Sequence, residues 1–183
     1  MSAFHKLSIK NYIQETANAV SIVFDVPENL KTNFSYKAGQ YITLKATING
    51  TEIRRAYSIC SAPESGELKV AIKAVEKGVF STYATSQLKV GDLIEVHEPE
   101  GKFMLEPTKS NNYLGIAAGS GITPVLSMIK AVLQQEPSSS FTLIYGNKSS
   151  DETMFKAELD ALSVSYDTRF NLHYVFSRQN EEG

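Results

Sequence analysis

A single cysteine, Cys60, stands in 183 residues, and tryptophan is missing altogether. One cysteine excludes an internal disulfide framework and any metal or iron–sulfur site built from cysteines of this chain. A reducing, cytoplasmic setting is the expectation that follows. No apolar run reaches the ~18 residues that a membrane-crossing helix needs, and the opening MSAFHKLSIKNY lacks the apolar core of a secretory signal. Lysine and arginine form no cluster and the formal charge is −2, so the electrostatic footprint of a nucleic-acid binder is absent. His5, His97 and His173 lie far apart with no metal-ligand spacing, which makes structural or surface roles the expectation. What is present is 42% hydrophobic and 21% charged residues, enough apolar material for a sizeable core.

The two halves of the chain read differently. Up to about Glu106, short runs rich in Val, Ile, Thr and aromatics alternate with breaks, as in Val20–Val26, Tyr41–Ile48, Leu68–Val75 and Leu93–His97. Asn49-Gly50 is a hairpin marker and Val90-Gly91-Asp92 another break. Only Phe80–Leu88 reads as helical there. Strands with one helix predict a closed or nearly closed antiparallel barrel over 1–106. The run 107–112 is the expected linker. After it, Tyr113–Ala117 is a continuous apolar run, the pattern of a strand buried on both faces. Helix Pro124–Gln135, strand Phe141–Tyr145, helix Asp151–Leu162 and strand Phe170–Phe176 follow, an order that predicts a parallel sheet over 107–183. Three strands make about half of a doubly wound sheet, so this second unit is expected to be incomplete.

Four motifs carry chemistry. Arg55-Ala56-Tyr57-Ser58 offers a guanidinium that can pair bidentately with a pyrophosphate, a ring that can stack on a planar heterocycle, and a hydroxyl donor. The same tetrapeptide also suits an ordinary exposed strand. Gly78-Val79-Phe80-Ser81 opens the lone helix of the first half, where free N–H groups and the helix dipole favour an anion. Plain N-capping by Ser81 is the alternative. Gly119-Ser120-Gly121-Ile122-Thr123-Pro124 sits between a strand and a helix, where glycine lets backbone approach a ligand closely. It is not the full G-x-G-x-x-G fingerprint, and a tight turn is the competing reading. Ser177-Arg178 falls at the carboxyl end of the third parallel strand, where ligands of such sheets bind. The pair there suits a ribose 2′-phosphate, or is a solvated end.

Taken in order, Arg55-x-Tyr57-Ser58, Gly78-x-x-Ser81 and Gly119-x-Gly121-x-Thr123-Pro124 resemble the ferredoxin–NADP reductase superfamily. Gly39-Gln40-Tyr41 and Pro99-x-Gly101-x-Phe103 fit the same pattern, and the resemblance covers nearly the whole chain. It implies a six-stranded antiparallel FAD-binding β-barrel followed by a partial parallel α/β nucleotide-binding domain. It also implies cofactor roles. Arg55 binds the FAD pyrophosphate, Tyr57 packs on the isoalloxazine, and Ser58 lies near its N5. Ile72, Lys73 and Val75 line the flavin, mostly through backbone. Gly78, Val79, Phe80 and Ser81 hold the pyrophosphate. Gly119, Gly121 and Thr123 meet NADP or NAD, with Thr123 beside Ser58 at the reacting end, and Ser177 and Arg178 meet the 2′-phosphate.

The activity so implied is electron transfer from a reduced pyridine nucleotide through FAD to an oxygenase partner, in the degradation of aromatic acids such as phenylacetate. Members of the superfamily continue through a Cys-Gly segment, and one branch adds a plant-type 2Fe–2S domain with four cysteines. This chain contains neither, so the cluster is expected only in a longer parent protein. A non-catalytic FAD-binding or subunit-docking fragment is the alternative, and a flavin-free scaffold a more distant one.

Overall fold

The computed structural model describes residues 3–107 and 110–178. The first half is a barrel assembled from hairpins. Strands β1 (Phe4–Thr16) and β2 (Ala19–Asp25) pair antiparallel, as do β3 (Tyr41–Ile48) and β4 (Thr51–Ser58). Asn49 and Gly50 join the second pair with φ of 49° and 77°, the doubly positive turn that matches strand twist. With β5 (Leu68–Lys73) and β6 (Leu93–His97) the sheet runs β4-β3-β6-β1-β2-β5. The two outer strands then meet, because Ile59, directly after β4, bridges Val70 of β5. The sheet is thereby closed into the expected barrel.

Inward residues alternate along β2, β3, β5 and β6. Leu7, Ile9, Ile22, Ile42, Leu44, Val70, Ile72, Ile94 and Val96 form the barrel core. Helix α1 (Val79–Ser86) plugs it with Phe80 and Ala84. Two strands stand out poorly from the sequence pattern. β1 is bulged at two places and alternates irregularly, and β4 carries exposed polar residues along its length.

The second half is a parallel sheet, β7 (Asn112–Ala118), β8 (Ser140–Asn147) and β9 (Phe170–Phe176), ordered β7-β8-β9. Helix α2 (Ile122–Gln135) connects the first two strands and α3 (Lys156–Ser165) the last two. Two expectations fail here. Helix α3 begins at Lys156 and not at Asp151, because Phe155 takes φ of 59° while its ring is buried, which ends any helix running through it. And β7 is not buried on both faces. Successive right-handed crossovers in one direction put both helices on the same side of the sheet. Leu114 and Ile116 on the other side are 64% and 73% exposed.

The halves share a core. Ala19, Cys60 and Ala71 face outward from the barrel and pack with Ile122, Val125, Leu126 and Ile129 of α2, and with Met154 and Phe155 before α3. Hydrogen bonds cross the same seam: Ser127 Oγ donates to the Ser61 carbonyl at 2.6 Å, and Lys130 Nζ to the Cys60 carbonyl at 3.2 Å.

The two environments predict opposite mutational costs. Leu126→Ala, in the shared core, should cost about 2–5 kcal/mol. Leu114→Lys, on the bare face, should stay within about 0.5 kcal/mol of the parent. Chemical denaturation of the two variants checks this, and equal losses would show that the bare face is covered.

Candidate functional site

The cleft lies where the barrel meets the second half. It has a volume of about 320 Å³ and is lined by Arg55, Ala56, Tyr57 and Ser58 of β4, by Ala71, Lys73 and Val75 on and after β5, and by Gly78–Ser81 at the start of α1. Ser120 and Thr123 close it from the other half. Strand β4 supplies the first group because the bridge that closes the barrel lies beyond its end, at Ile59, and β4 itself is paired only to β3 among the described residues. Residues Arg55 to Ser58 therefore sit at a rim instead of in a core. Tyr57 is half-buried against Phe80, ring centroids 5.8 Å apart and 37° between planes, and burial pushes its hydroxyl up to about 12, with Arg55 acting in the opposite direction. Arg55 is exposed, and its Nη1 donates to the Arg54 carbonyl at 2.7 Å.

The Gly78 turn has a packing reason of its own. A Cβ there would press on Ser81 Oγ and on Val75. Lys77 takes φ of 59° just before it, and Gly78, not Ser81, is the N-cap of α1. Ser81 stands inside the first turn, and its hydroxyl accepts from Val75 N and donates to the Gly78 carbonyl, both at 3.2 Å. The capping alternative for Ser81 is thus corrected: its hydroxyl ties the turn before the helix.

The Gly119 turn is different. Gly119 has φ of 50°, which favours glycine, but Gly121 has φ of −64° and a Cβ there would meet nothing within 4 Å. Nothing inside the described fold requires glycine at 121. Space kept clear over a helix start, without a packing cause, suits a ligand's approach. The Tyr145 hydroxyl donates to the Gly119 carbonyl at 2.9 Å and holds the turn against β8.

The cleft brings together Arg55, Tyr57, Ser58, Lys73, Val75, Gly78, Val79, Phe80, Ser81 and Thr123. It does not take in the other predicted residues. Ile72 is fully buried inside the barrel and is not on the cleft wall. Gly119 and Gly121 flank the cleft through their turn. Ser177 and Arg178 are exposed at the carboxyl end of β9, where their N–H groups donate to the Asn147 and Lys148 carbonyls, each at 3.0 Å. Ala56, Ala71 and Ser120 join the wall without having been expected there. Ala71 carries no signal in the sequence, whereas Ala56 and Ser120 lie inside motifs already singled out.

The donor set fits a flavin dinucleotide. The cleft wall offers two cations, serine hydroxyls and a tyrosine ring, with no carboxylate among its described residues. That composition is matched to an anion joined to a planar ring.

Comparison with known proteins agrees with this geometry. The family model of the oxidoreductase FAD-binding domain matches residues 6–105, and that of the oxidoreductase NAD-binding domain matches 116–183. The chain belongs to the FAD- and NAD-binding oxidoreductases. It is 45% identical to one of the subunits of the 1,2-phenylacetyl-CoA epoxidase of Escherichia coli (strain K12), over 98% of this chain and 51% of that protein. It is 35% identical to the 3-ketosteroid-9-alpha-monooxygenase, ferredoxin reductase component, of Rhodococcus rhodochrous, over 94% of this chain and 50% of that one. Among solved structures, ferredoxin–NADP+ reductase from Plasmodium falciparum with 2′P-AMP superposes with a TM-score of 0.83 at 26% identity, covering 97% of this chain and 75% of that one. The resemblance read from the motifs is borne out: this is a ferredoxin–NADP reductase-like fold with an FAD-binding and an NAD-binding domain. The chain spans about half the length of the curated relatives it matches.

The residues set aside in the sequence have ordinary surroundings. Among the described residues no group of three or more His, Cys, Asp or Glu could hold a metal ion, and no helix is long and apolar enough to cross a membrane. His5 is paired with Glu98 at 3.2 Å. Cys60 is a buried free thiol, and burial pushes it up to about 12.

Native protein at about pH 8 should therefore leave Cys60 unmodified by a thiol reagent that labels the unfolded chain at once. On raising the pH from 9.0 toward 12, the unfolded chain loses the Cys60 proton before the folded one does, so Cys60 ionisation lowers stability across that window. Cys60→Ala should flatten part of that alkaline decline. Separately, Gly121→Ala should melt within about 1 kcal/mol of the parent, while Gly78→Ala should lose about 1–3 kcal/mol by overpacking. A Gly121→Ala variant that unfolds would show that the fold itself needs this glycine.

Proposed function

We propose that this chain is the flavin- and nucleotide-binding part of a reductase. It would pass electrons from NADPH, or NADH, through FAD and a 2Fe–2S domain of a longer protein to a partner oxygenase in aromatic-acid degradation such as that of phenylacetate. One observation carries the reading: a single cleft joins the Arg55–Ser58 and Gly78–Ser81 motifs of the barrel to Ser120 and Thr123 of the other half. The names of the epoxidase and of the monooxygenase reductase component among the relatives support the oxygenase partner. The functional units would be 1–106 for FAD and 107–183 for the nucleotide. A buried free thiol suits a reducing, cytoplasmic setting.

FAD, when bound, accepts two electrons from the nicotinamide and can release them singly. The chain's own residues bind and orient. Arg55 would hold the pyrophosphate. The Tyr57 ring, fixed by Phe80, would pack on the flavin, with the backbone of Ile72, Lys73 and Val75 along its edge. Val79, Phe80 and Ser81 would present N–H groups to phosphate at the start of α1, and Gly78, whose own N–H donates to the Val75 carbonyl at 2.9 Å, would let the phosphate lie close to the turn. Ser58 would donate a hydrogen bond at the reacting edge, and Thr123, whose hydroxyl donates to the Ser120 carbonyl at 3.1 Å, would align the nicotinamide opposite it. Gly119 and Gly121 would let the nucleotide lie close over the turn. Ser177 and Arg178 would meet a 2′-phosphate, which selects NADP over NAD.

One observation favours a second reading, in which the chain binds FAD but does not turn over alone. The bare face bearing Leu114 and Ile116 leaves the nucleotide half without a second layer among the described residues.

Purified protein should take up FAD and become yellow, and Arg55→Ala should weaken FAD binding about tenfold or more, the scale of a lost charge-assisted pair. Anaerobic NADPH should then bleach the bound flavin. A protein that stays colourless with excess FAD would overturn the proposal, and bound flavin that no nucleotide bleaches would select the second reading.

A further inference from the structure

Two cations face the cleft, and they differ in what already engages them. Arg55 has no ion-pair partner among the described residues. Lys73 does: its Nζ lies 3.4 Å from the carboxylate of Glu152, which reaches across the seam from the turn after β8. No described carboxylate belongs to the cleft wall itself. Glu152 therefore places an acid from the nucleotide half on a cation of the flavin cleft.

A neighbouring lysine shows what a permanent pairing looks like here. Lys69 stands two positions before Ala71 on the same outward face of β5, as Lys73 stands two after it. Its Nζ lies 3.7 Å from Glu15 and 3.9 Å from Glu158, and sits over the Phe155 ring at 5.3 Å. Glu158 is also held by Lys130 at 2.5 Å, and Glu15 accepts from Ser21 Oγ at 2.5 Å. That end of the seam is a closed network in which each charge has several partners. At the cleft end, Lys73 has the one long contact to Glu152, and both side chains keep water contact, at 20% and 36% exposure. A lone, partly solvated pair of this kind is weak and easily exchanged.

We propose that Glu152 is a displaceable counter-ion. It holds Lys73 while the nucleotide site is empty, and a phosphate of the incoming pyridine dinucleotide takes its place. This deepens the reading above and rests on it, since it needs the nucleotide to approach the cleft past Ser120 and Thr123. Its consequence is an asymmetry between the two cofactors. A pyrophosphate binding at Arg55 meets no competing carboxylate. A nucleotide phosphate binding at Lys73 must first displace one, which holds its affinity down.

The test is a calorimetric titration of the full chain with NADP+, carried out with and without FAD. Glu152→Gln should bind NADP+ about two- to fivefold more tightly than the parent, the range a half-exposed pair supports. Glu152→Asp should remain close to the parent, and FAD affinity should be the same in all three. In a Lys73→Met background the Glu152→Gln gain should vanish, because the exchange needs the lysine. A gain that persists there would reduce Glu152 to a general negative field and overturn the proposal. Unchanged or weaker binding by Glu152→Gln, or no NADP+ binding by any variant, would overturn it too. Failure of the flavin reading would be seen separately, as no absorbance from added FAD, while the titration of the unloaded chain still decides the role of Glu152. Melting curves on each variant separate a lost fold from a lost contact.

Discussion

Strand β5 is buried on both faces, and the cleft depends on that. Val70 and Ile72 point into the barrel core, while Ala71 between them points into the core of the other half. A strand can serve two cores at once because successive side chains leave on opposite faces. The outward positions must then suit a close neighbour: Ala71, Ala19 and Cys60 are small, which lets α2 and the segment before α3 approach the barrel wall. With larger side chains the halves would stand apart, and Thr123 would not share a cavity with Ser58.

Charge is distributed along the same strand. Lys69 and Lys73 flank Ala71, and the opposing half supplies Glu158 and Glu152. The seam is thus apolar at its centre and ionic at both ends. An apolar centre excludes water and gives most of the adhesion, whereas the ionic ends add register more than strength. The cleft opens at the Lys73 end. There the positive charge of Arg55 and Lys73 suits the phosphates of a dinucleotide, and the Tyr57 and Phe80 rings supply the flat apolar wall.

Much of this is legible in the sequence. The boundaries of β3, β6 and β9 match the residue pattern, since each alternates or runs apolar between clear turn residues. Most of the predicted site residues meet in one cleft because they lie on motifs whose local geometry, strand rim or helix start, is encoded nearby. The departures have physical causes. β1 is hard to see because two bulges spoil its alternation. The start of α3 falls later than the pattern suggests because nothing local reveals that Phe155 is drawn into the seam at φ of 59°. The bare face of β7 stays hidden because an apolar run looks the same whether a second helical layer covers it or not.

Residue types and their order by themselves determined the class of each half, the two anion-suited turns, and the pairing of a guanidinium with an aromatic ring that points to a flavin. They did so because strand alternation, helix starts and glycine turns are short-range properties. Only the tertiary structure decided that these motifs share one cavity, that Gly78 is held by packing while Gly121 is not, and that Glu152 stands against Lys73, 79 residues away. Those facts follow from how the outward face of β5 meets α2 and the turn after β8. Contacts between elements so distant in sequence leave no local pattern to read.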